Sequence, residues 1–223
     1  MTRVIALTDF DLETERLRLR PLQACDEALY CGLYTDAETM RYIGEPLAPV
    51  RVARCFRKVL CLMYKQPIEW LSLTVLDKAT QLPVGICGVP AFDATASRLE
   101  VGMMLRRQAR TRGLAREGLE ALVRKLFSVL SVGEIWVEYS PEHSAAGGLV
   151  RSMGFSPRAE PVTAGESLGK CIWSACRETW YSTAGDVDRQ GRVHVERSPV
   201  SGNNGTKCRA EARSLASPVQ GSE

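Results

Sequence analysis

The sequence predicts one α/β domain built on a mixed, mostly antiparallel central sheet with helices on its flanks. Three observations predict it. Several short runs alternate apolar and polar residues with the period of a half-buried strand. Longer runs repeat apolar residues at helical spacing. The two kinds follow one another as strand, helices, three strands, helix, strand, helix and closing strand, so that one strand–helix–strand crossover joins a first, antiparallel half to a second. The 223 residues suffice for one domain with a sizeable core, and 45% apolar with 25% charged residues is ordinary globular composition.

The elements follow in order. Thr14–Leu22 reads TERLRLRPL: Leu17, Leu19 and Leu22 are set against Arg16, Arg18 and Arg20, and Pro21 closes the strand. Asp26 is placed to cap a helix running to about Tyr34. Asp36 is placed to cap a second, short one, with Gly44 just past its end. From Val50 to Tyr64 the apolar residues Val52, Cys55, Phe56, Val59, Leu60 and Met63 recur at helical spacing. Trp70–Leu76 and Leu82–Val89 read as a β-hairpin, and Arg98–Leu105 as the next strand. A basic stretch, Arg106–Arg112, precedes a long amphipathic helix from Gly113, whose apolar face carries Leu114, Leu119, Leu122, Val123, Leu126, Phe127 and Leu130. Glu134–Tyr139 is a further strand. A shorter helix falls within Ser144–Met153 with Gly154 at its end, and Lys170–Glu178 reads as the last strand. The domain is therefore expected over residues 1–181. Residues 182–223, rich in Ser, Gly, Asn and Arg and without apolar period, are expected to be a disordered tail.

Composition excludes several classes. A net charge of +3 is too small to imply a nucleic-acid or membrane partner, and no apolar run is long enough to span a bilayer. The N-terminus lacks the apolar core and cleavage site of a signal peptide, which points to the cytoplasm. Eight cysteines (Cys25, Cys31, Cys55, Cys61, Cys87, Cys171, Cys176 and Cys208) form no Cys-x-x-Cys pair. Reduced thiols, several at apolar-periodic positions, are expected, and no metal site.

The informative segment is Leu99–Gly118, LEVGMMLRRQARTRGLAREG. An apolar strand ends, an arginine-rich loop follows, and a helix starts after Gly113. The first turn of that helix offers free N–H groups at the positive end of its dipole. A glycine there lets an anion approach the backbone, and Arg110, Arg112 and Arg116 add charge. The pattern suits a diphosphate, and a merely solvated basic loop fits it equally well. Neither the Walker loop nor the dinucleotide fingerprint is present.

Arg110-Thr111-Arg112-Gly113-Leu114-Ala115 resembles the Gln/Arg-x-x-Gly-x-Gly/Ala motif of the GCN5-related N-acetyltransferase (GNAT) superfamily. The following Arg-Glu-Gly is similar to the Thr-Glu-Ala of the branch that acetylates ribosomal-protein N-termini. The resemblance runs from about Thr14 to Trp180. TERLRLRPL resembles the family's first strand, DAETMRYIG its second helix, PVGICG its third strand, EVGMML its fourth, and IWVEYSPEHSAAGGLVRSMGF its fifth strand and fourth helix.

The resemblance implies a sheet splayed between its fourth and fifth strands, with acetyl-CoA as cosubstrate. The diphosphate is then expected on Arg110, Thr111, Arg112, Gly113, Leu114 and Ala115, and the pantetheine on backbone groups of Met104, Leu105 and Arg106. His143 stands where the branch has an Asn that binds the CoA arm, and could replace part of that contact. Glu138, on the fifth strand, and Glu100, opening the fourth, are the candidate general bases. The implied activity is acetyl transfer to a primary amine, on a protein N-terminus or a small molecule, by direct attack, in a monomer or homodimer. Two departures leave open a catalytically weak or inactive CoA-binding protein. Ala146 replaces a Ser credited with contacting CoA or protonating the thiolate, and no Tyr stands late in that helix; Tyr139 is the nearest phenol in sequence. The Gly147-Gly148 pair signals either a frayed helix or a ligand close to its backbone. The acceptor pocket is expected from Asp36–Pro49 and Ser156–Gly169, neither of which carries a decodable motif.

Overall fold

A computed structural model describes residues 4–110, 112–158 and 169–183. Thr111, most of the loop before the last strand and the expected tail beyond Thr183 lie outside the described residues; residues 182 and 183, expected in that tail, close a helix. The first half comprises β1 (Leu12–Glu13), β2 (Leu17–Pro21), α1 (Glu27–Thr35), α2 (Ala37–Met40), α3 (Pro49–Met63), β3 (Leu71–Asp77) and β4 (Pro83–Val89). The second comprises β5 (Arg98–Glu100), β6 (Gly102–Leu105), α4 (Leu114–Val129), β7 (Glu134–Tyr139), α5 (Ser144–Ser152), β8 (Ser156–Pro157), β9 (Cys171–Cys176) and α6 (Arg177–Thr183). One antiparallel sheet runs β1-β2-β3-β4-β6, and a second runs β5-β7-β9-β8, in which only the β5–β7 pairing is parallel.

The strand expected over Arg98–Leu105 is one run of chain that serves both sheets. Its first part pairs with β7, Leu99 opposite Ile135 and Glu100 opposite Trp136. The N–H of Val101 makes the last bond in that direction, to the Trp136 carbonyl at 2.9 Å. From Gly102 onward the strand pairs with β4 instead, Gly102 opposite Gly88 and Leu105 opposite Gly85. The two sheets therefore part at Val101, and the splay lies between β6 and β7.

Strand alternation sorts the side chains between two cores. Leu99, Val101, Leu105, Ile135 and Val137 face α4 and join its buried stripe Leu119, Leu122, Val123, Leu126 and Phe127. Burying each such side chain contributes roughly 1.5–3 kcal/mol. Met104 faces the other way, into the cluster of α1 and α3 around Tyr30, Phe56 and Trp70. Gly118 lets α4 lie close to the sheet, since a Cβ there would meet Met103 Cε at 2.8 Å and Leu17 Cδ1 at 3.3 Å.

Two sequence expectations need correction. Asp26 precedes α1, but its buried carboxylate does not cap it. It accepts from both Arg20 Nη atoms, the Thr74 hydroxyl and the Gln23 N–H. A buried carboxylate needs such compensation more than a helix end needs a cap. The last strand ends at Cys176, not Glu178, because Arg177 turns inward. Its guanidinium donates to the carbonyls of Phe127, Leu130 and Val132 and so satisfies the C-terminal end of α4. The chain continues as α6, which buries Trp180 against Phe127 and Phe155.

Candidate active site

The open edge of β6 follows from ladder arithmetic. The N–H of Arg106 donates to the Val84 carbonyl at 2.8 Å. In an antiparallel ladder the bonding direction alternates, so the backbone groups of Arg106 and Met104 turn toward β4 and those of Leu105 and Met103 toward the splay. Of the three residues expected to offer backbone groups, only Leu105 thus lies on the open side; Met103, which the motif reading missed, joins it. The Arg106 N–H is spent inside the sheet. The Leu105 carbonyl accepts from Arg110 Nε at 3.1 Å.

Beyond Leu105 a single 3₁₀ turn, Arg107–Ala109, leads into the loop before α4. Gly113 has φ +75 and ψ 2, a left-handed conformation, and is the residue before the helix. A side chain there would find space, the nearest atom being Arg16 Nη2 at 3.5 Å, so backbone conformation rather than crowding calls for glycine. Among the described residues no side chain caps α4 at this end. The N–H groups of Leu114, Ala115 and Arg116 are those that have no intrahelical acceptor. The two arginines of the motif reach away from one another. Arg110 Nη2 donates to Thr39 Oγ1 at 2.7 Å, tying the loop to α2. Arg112 Nη1 pairs at 2.8 Å with Asp77, a carboxylate only 3% exposed at the end of β3. Asp77 also accepts from the N–H groups of Ala79 and Thr80, and together with Arg112 these hold it below the usual carboxylate range. Arg112 is therefore a tie to the β3–β4 turn.

Across the splay, His143 precedes α5 and caps it, Nδ1 accepting from the Ala146 N–H at 3.2 Å. That leaves the other ring nitrogen of the neutral imidazole as its donor. Its ring stacks on Tyr42 with centroids 4.4 Å apart. Burial, and next the charge of Arg110, push the imidazole below its ordinary value, so it is neutral at pH 7. Helix α5 runs unbroken through Gly147-Gly148, so of the two alternatives offered by the sequence the frayed helix falls away. The Tyr139 side chain lies against Gly147, where a Cβ would stand 3.1 Å from its hydroxyl, while Gly148 faces open space. Burial raises the Tyr139 pKa and keeps the phenol protonated at neutral pH.

Glu100 and Glu138 share one face. Glu100 is opposite Trp136 in the β5–β7 register, so Glu138 lies two residues further along the same face of β7, away from α4. Met104 is on this face too, at the boundary with the α1–α3 cluster. Both glutamates are partly exposed, and both interact with other groups of the protein.

Sequence reasoning missed Arg16, Thr39, Tyr42, Asp77 and Glu117, all of which touch the loop, α4 or α5. The signals were present but diffuse: a Thr-Glu-Arg opening the expected first strand, an acid at the hairpin turn and an aromatic after α2. Among the described residues no group of His, Cys, Asp and Glu is placed to hold a metal, and no helix is long and apolar enough to cross a membrane.

Comparison with known proteins bears on this geometry. A model of the acetyltransferase (GNAT) domain matches residues 16–156. The chain is 26% identical over 146 residues, 65% of its length and 81% of the other's, to an uncharacterized N-acetyltransferase, p20, of Bacillus licheniformis. Its fold is similar to the spermidine N-acetyltransferase of Vibrio cholerae solved with CoA and spermine, at a TM-score of 0.63 and 16% identity over 75% of this chain and 99% of that one. It is similar as well to RimL, a ribosomal alpha-N-protein acetyltransferase solved with coenzyme A, at a TM-score of 0.62 and 12% identity over 74% and 97%. An acetyltransferase of Agrobacterium tumefaciens gives a TM-score of 0.62 at 21% identity over 74% and 92%.

Proposed function

The chain belongs to the GNAT acetyltransferase family and is an acetyl-CoA-dependent acyltransferase, and from that premise we propose that it transfers the acetyl group to a primary amine by direct attack across the β6–β7 splay. The observation that carries the proposal is the change of partner at Val101, which opens one edge of β6 beside the start of α4, where Gly113 stands before the helix. Those residues fit the cosubstrate. The N–H groups of Leu114, Ala115 and Arg116, with Gly113 giving access, suit a diphosphate, and the open backbone edge of Met103 and Leu105 suits the amides of a pantetheine arm. The bound thioester supplies the acyl group. The His143 ring donor is left to contact the arm. Thr111 completes the motif and is expected in the same cradle.

The chain's own task is to place the amine and handle protons. An α-amino group, with a pKa of ~8, is appreciably neutral at physiological pH and needs modest help; a lysine needs more. Glu138, with Glu100 as the alternative, accepts the amine proton directly or through one water. The Tyr139 phenol is the candidate to return a proton to the leaving thiolate. The acceptors of the spermidine and ribosomal-protein enzymes, a polyamine and a protein N-terminus, are the two classes to try first. Thiol release from acetyl-CoA, measured against panels of peptide N-termini, polyamines and amino acids, tests the reading. Acceptor-dependent release by the chain supports it. Tight CoA binding with no release for any primary amine contradicts it.

A further inference from the structure

Glu117 poses a problem for the diphosphate cradle. It lies in the first turn of α4, so a carboxylate stands close to the N–H groups proposed to receive two phosphates. Acidic residues stabilise a helix start, but here the same charge opposes the ligand. The structure shows how it is held. Glu117 Oε1 accepts from the Thr14 hydroxyl at 2.6 Å and from the Arg16 N–H at 2.8 Å. Glu117 Oε2 accepts from Arg16 Nε at 2.7 Å, and Arg16 Nη2 lies 2.6 Å from the same oxygen in an ion pair. The remaining guanidinium nitrogen, Nη1, donates to the Arg112 carbonyl at 2.8 Å, immediately before Gly113. Burial raises the Glu117 pKa, but these contacts outweigh it, and the group remains ionised at neutral pH.

We infer that Arg16 is a positioning residue for the cosubstrate: it draws the Glu117 carboxylate away from the diphosphate, neutralises it, and fixes the backbone turn at Arg112–Gly113, without itself being spent on the ligand. All three guanidinium nitrogens are engaged by protein oxygens. The inference rests on Arg110–Ala115 being the diphosphate cradle. It assigns a cofactor role to the Thr14-Glu15-Arg16 segment, which the sequence reading treated only as the start of a strand. It also explains how a glutamate is tolerated in the first turn of an anion-binding helix.

The test uses the full chain and two probes, CoA and pantetheine, which lacks the phosphates. Arg16→Met should weaken CoA about tenfold, the upper range for an uncompensated charge at a helix start. Pantetheine binding should not change. Glu117→Gln alone should bind CoA as tightly as wild type or more tightly, because it removes the opposing charge and keeps an acceptor for Arg16. Arg16→Met combined with Glu117→Gln should regain most of the lost affinity, whereas a purely structural role makes Glu117→Gln itself weaken CoA and leaves the double variant no better than Arg16→Met. Arg16→Lys, which keeps the charge and loses the fork, should fall between, and serves if the Met variant melts too low to assay. Normal CoA affinity in Arg16→Met, equal loss of CoA and pantetheine, or no recovery in the double variant each overturns the inference. Failure of the cradle itself shows differently: wild type would bind pantetheine as tightly as CoA.

Discussion

The two sides of the splay are built on different principles. On the side proposed for the cofactor, one short stretch of chain, Met103 to Arg116, offers most of the groups in its own backbone, and side chains from elsewhere brace it: Arg16 before β2, Asp77 at the end of β3 and Thr39 in α2. On the acceptor side no stretch of chain suffices. Glu100, Met104 and Glu138, proposed for that side, share a face by strand register, while Tyr42 after α2 stacks on His143 before α5 and so closes the splay next to them. A diphosphate can be bound by contiguous N–H groups, which any sequence with the right turn supplies. An amine must be recognised and deprotonated by side chains, which have to converge from several elements. The cofactor side is therefore expected to fail by loss of affinity, and the acceptor side by loss of turnover.

Glu138→Gln gives the sharpest separation of the two sides. Turnover should fall by ~10²–10⁴-fold at neutral pH, the usual range for a positioned base, with CoA affinity unchanged. The defect should shrink as pH rises and the amine loses its proton unaided. Steady-state rates from pH 6.5 to 9.5 check both; near-normal turnover would pass the role to Glu100. Gly113→Asp should do the opposite, weakening CoA by roughly ten- to 30-fold through a carboxylate at the helix start. Folding should suffer little, since Asp is among the residues that tolerate a left-handed backbone. Calorimetric titration beside a thermal melt distinguishes the two losses.

Smaller effects probe the braces. If Arg112 is a tie to the β3–β4 turn, Asp77→Asn and Arg112→Gln should each weaken CoA by roughly three- to tenfold, and the double variant no more than either alone. Additive losses would mean that Arg112 grips the ligand instead. The smallest effect concerns His143. Its folded pKa is depressed, so the folded state binds fewer protons than the unfolded chain and stability falls as pH drops below the unfolded value of ~6.5. His143→Asn keeps a capping side chain that does not titrate. Relative to that variant, wild type should lose stability between pH 8 and pH 5, by at most about 1 kcal/mol, the usual worth of an N-cap. Parallel melting curves across that range would show the divergence or its absence.

How much of this was legible in the sequence follows the same division. The order of elements and the Arg110–Ala115 loop could be read because each is local: alternation marks Leu17 and Leu19, and helical spacing marks Leu119 to Phe127. The break at Val101 could not be read, because Leu99, Val101, Met103 and Leu105 keep one face apolar throughout and only the partners of the run change. Asp26 misled for a related reason. A carboxylate before a helix has the pattern of a cap, and nothing local reveals that Arg20 and Thr74 converge on it. Gly147 was noticed as costly, but its reason is a tyrosine eight residues earlier, on another element. The Arg16–Glu117 pair joins residues 101 apart in sequence and leaves no local trace.

Amide hydrogen exchange with and without CoA tests the central claim most directly, because it reads the very N–H groups said to bind. The amides of Leu114, Ala115 and Arg116, which have no acceptor within the helix, should gain protection when CoA is added, and so should that of Leu105 on the open edge of β6. Those of Met104 and Arg106, turned toward β4, should change much less. CoA binding that leaves the start of α4 unprotected, or that protects Met104 and Arg106 in preference to Leu105, would contradict the placement of the cosubstrate in the splay.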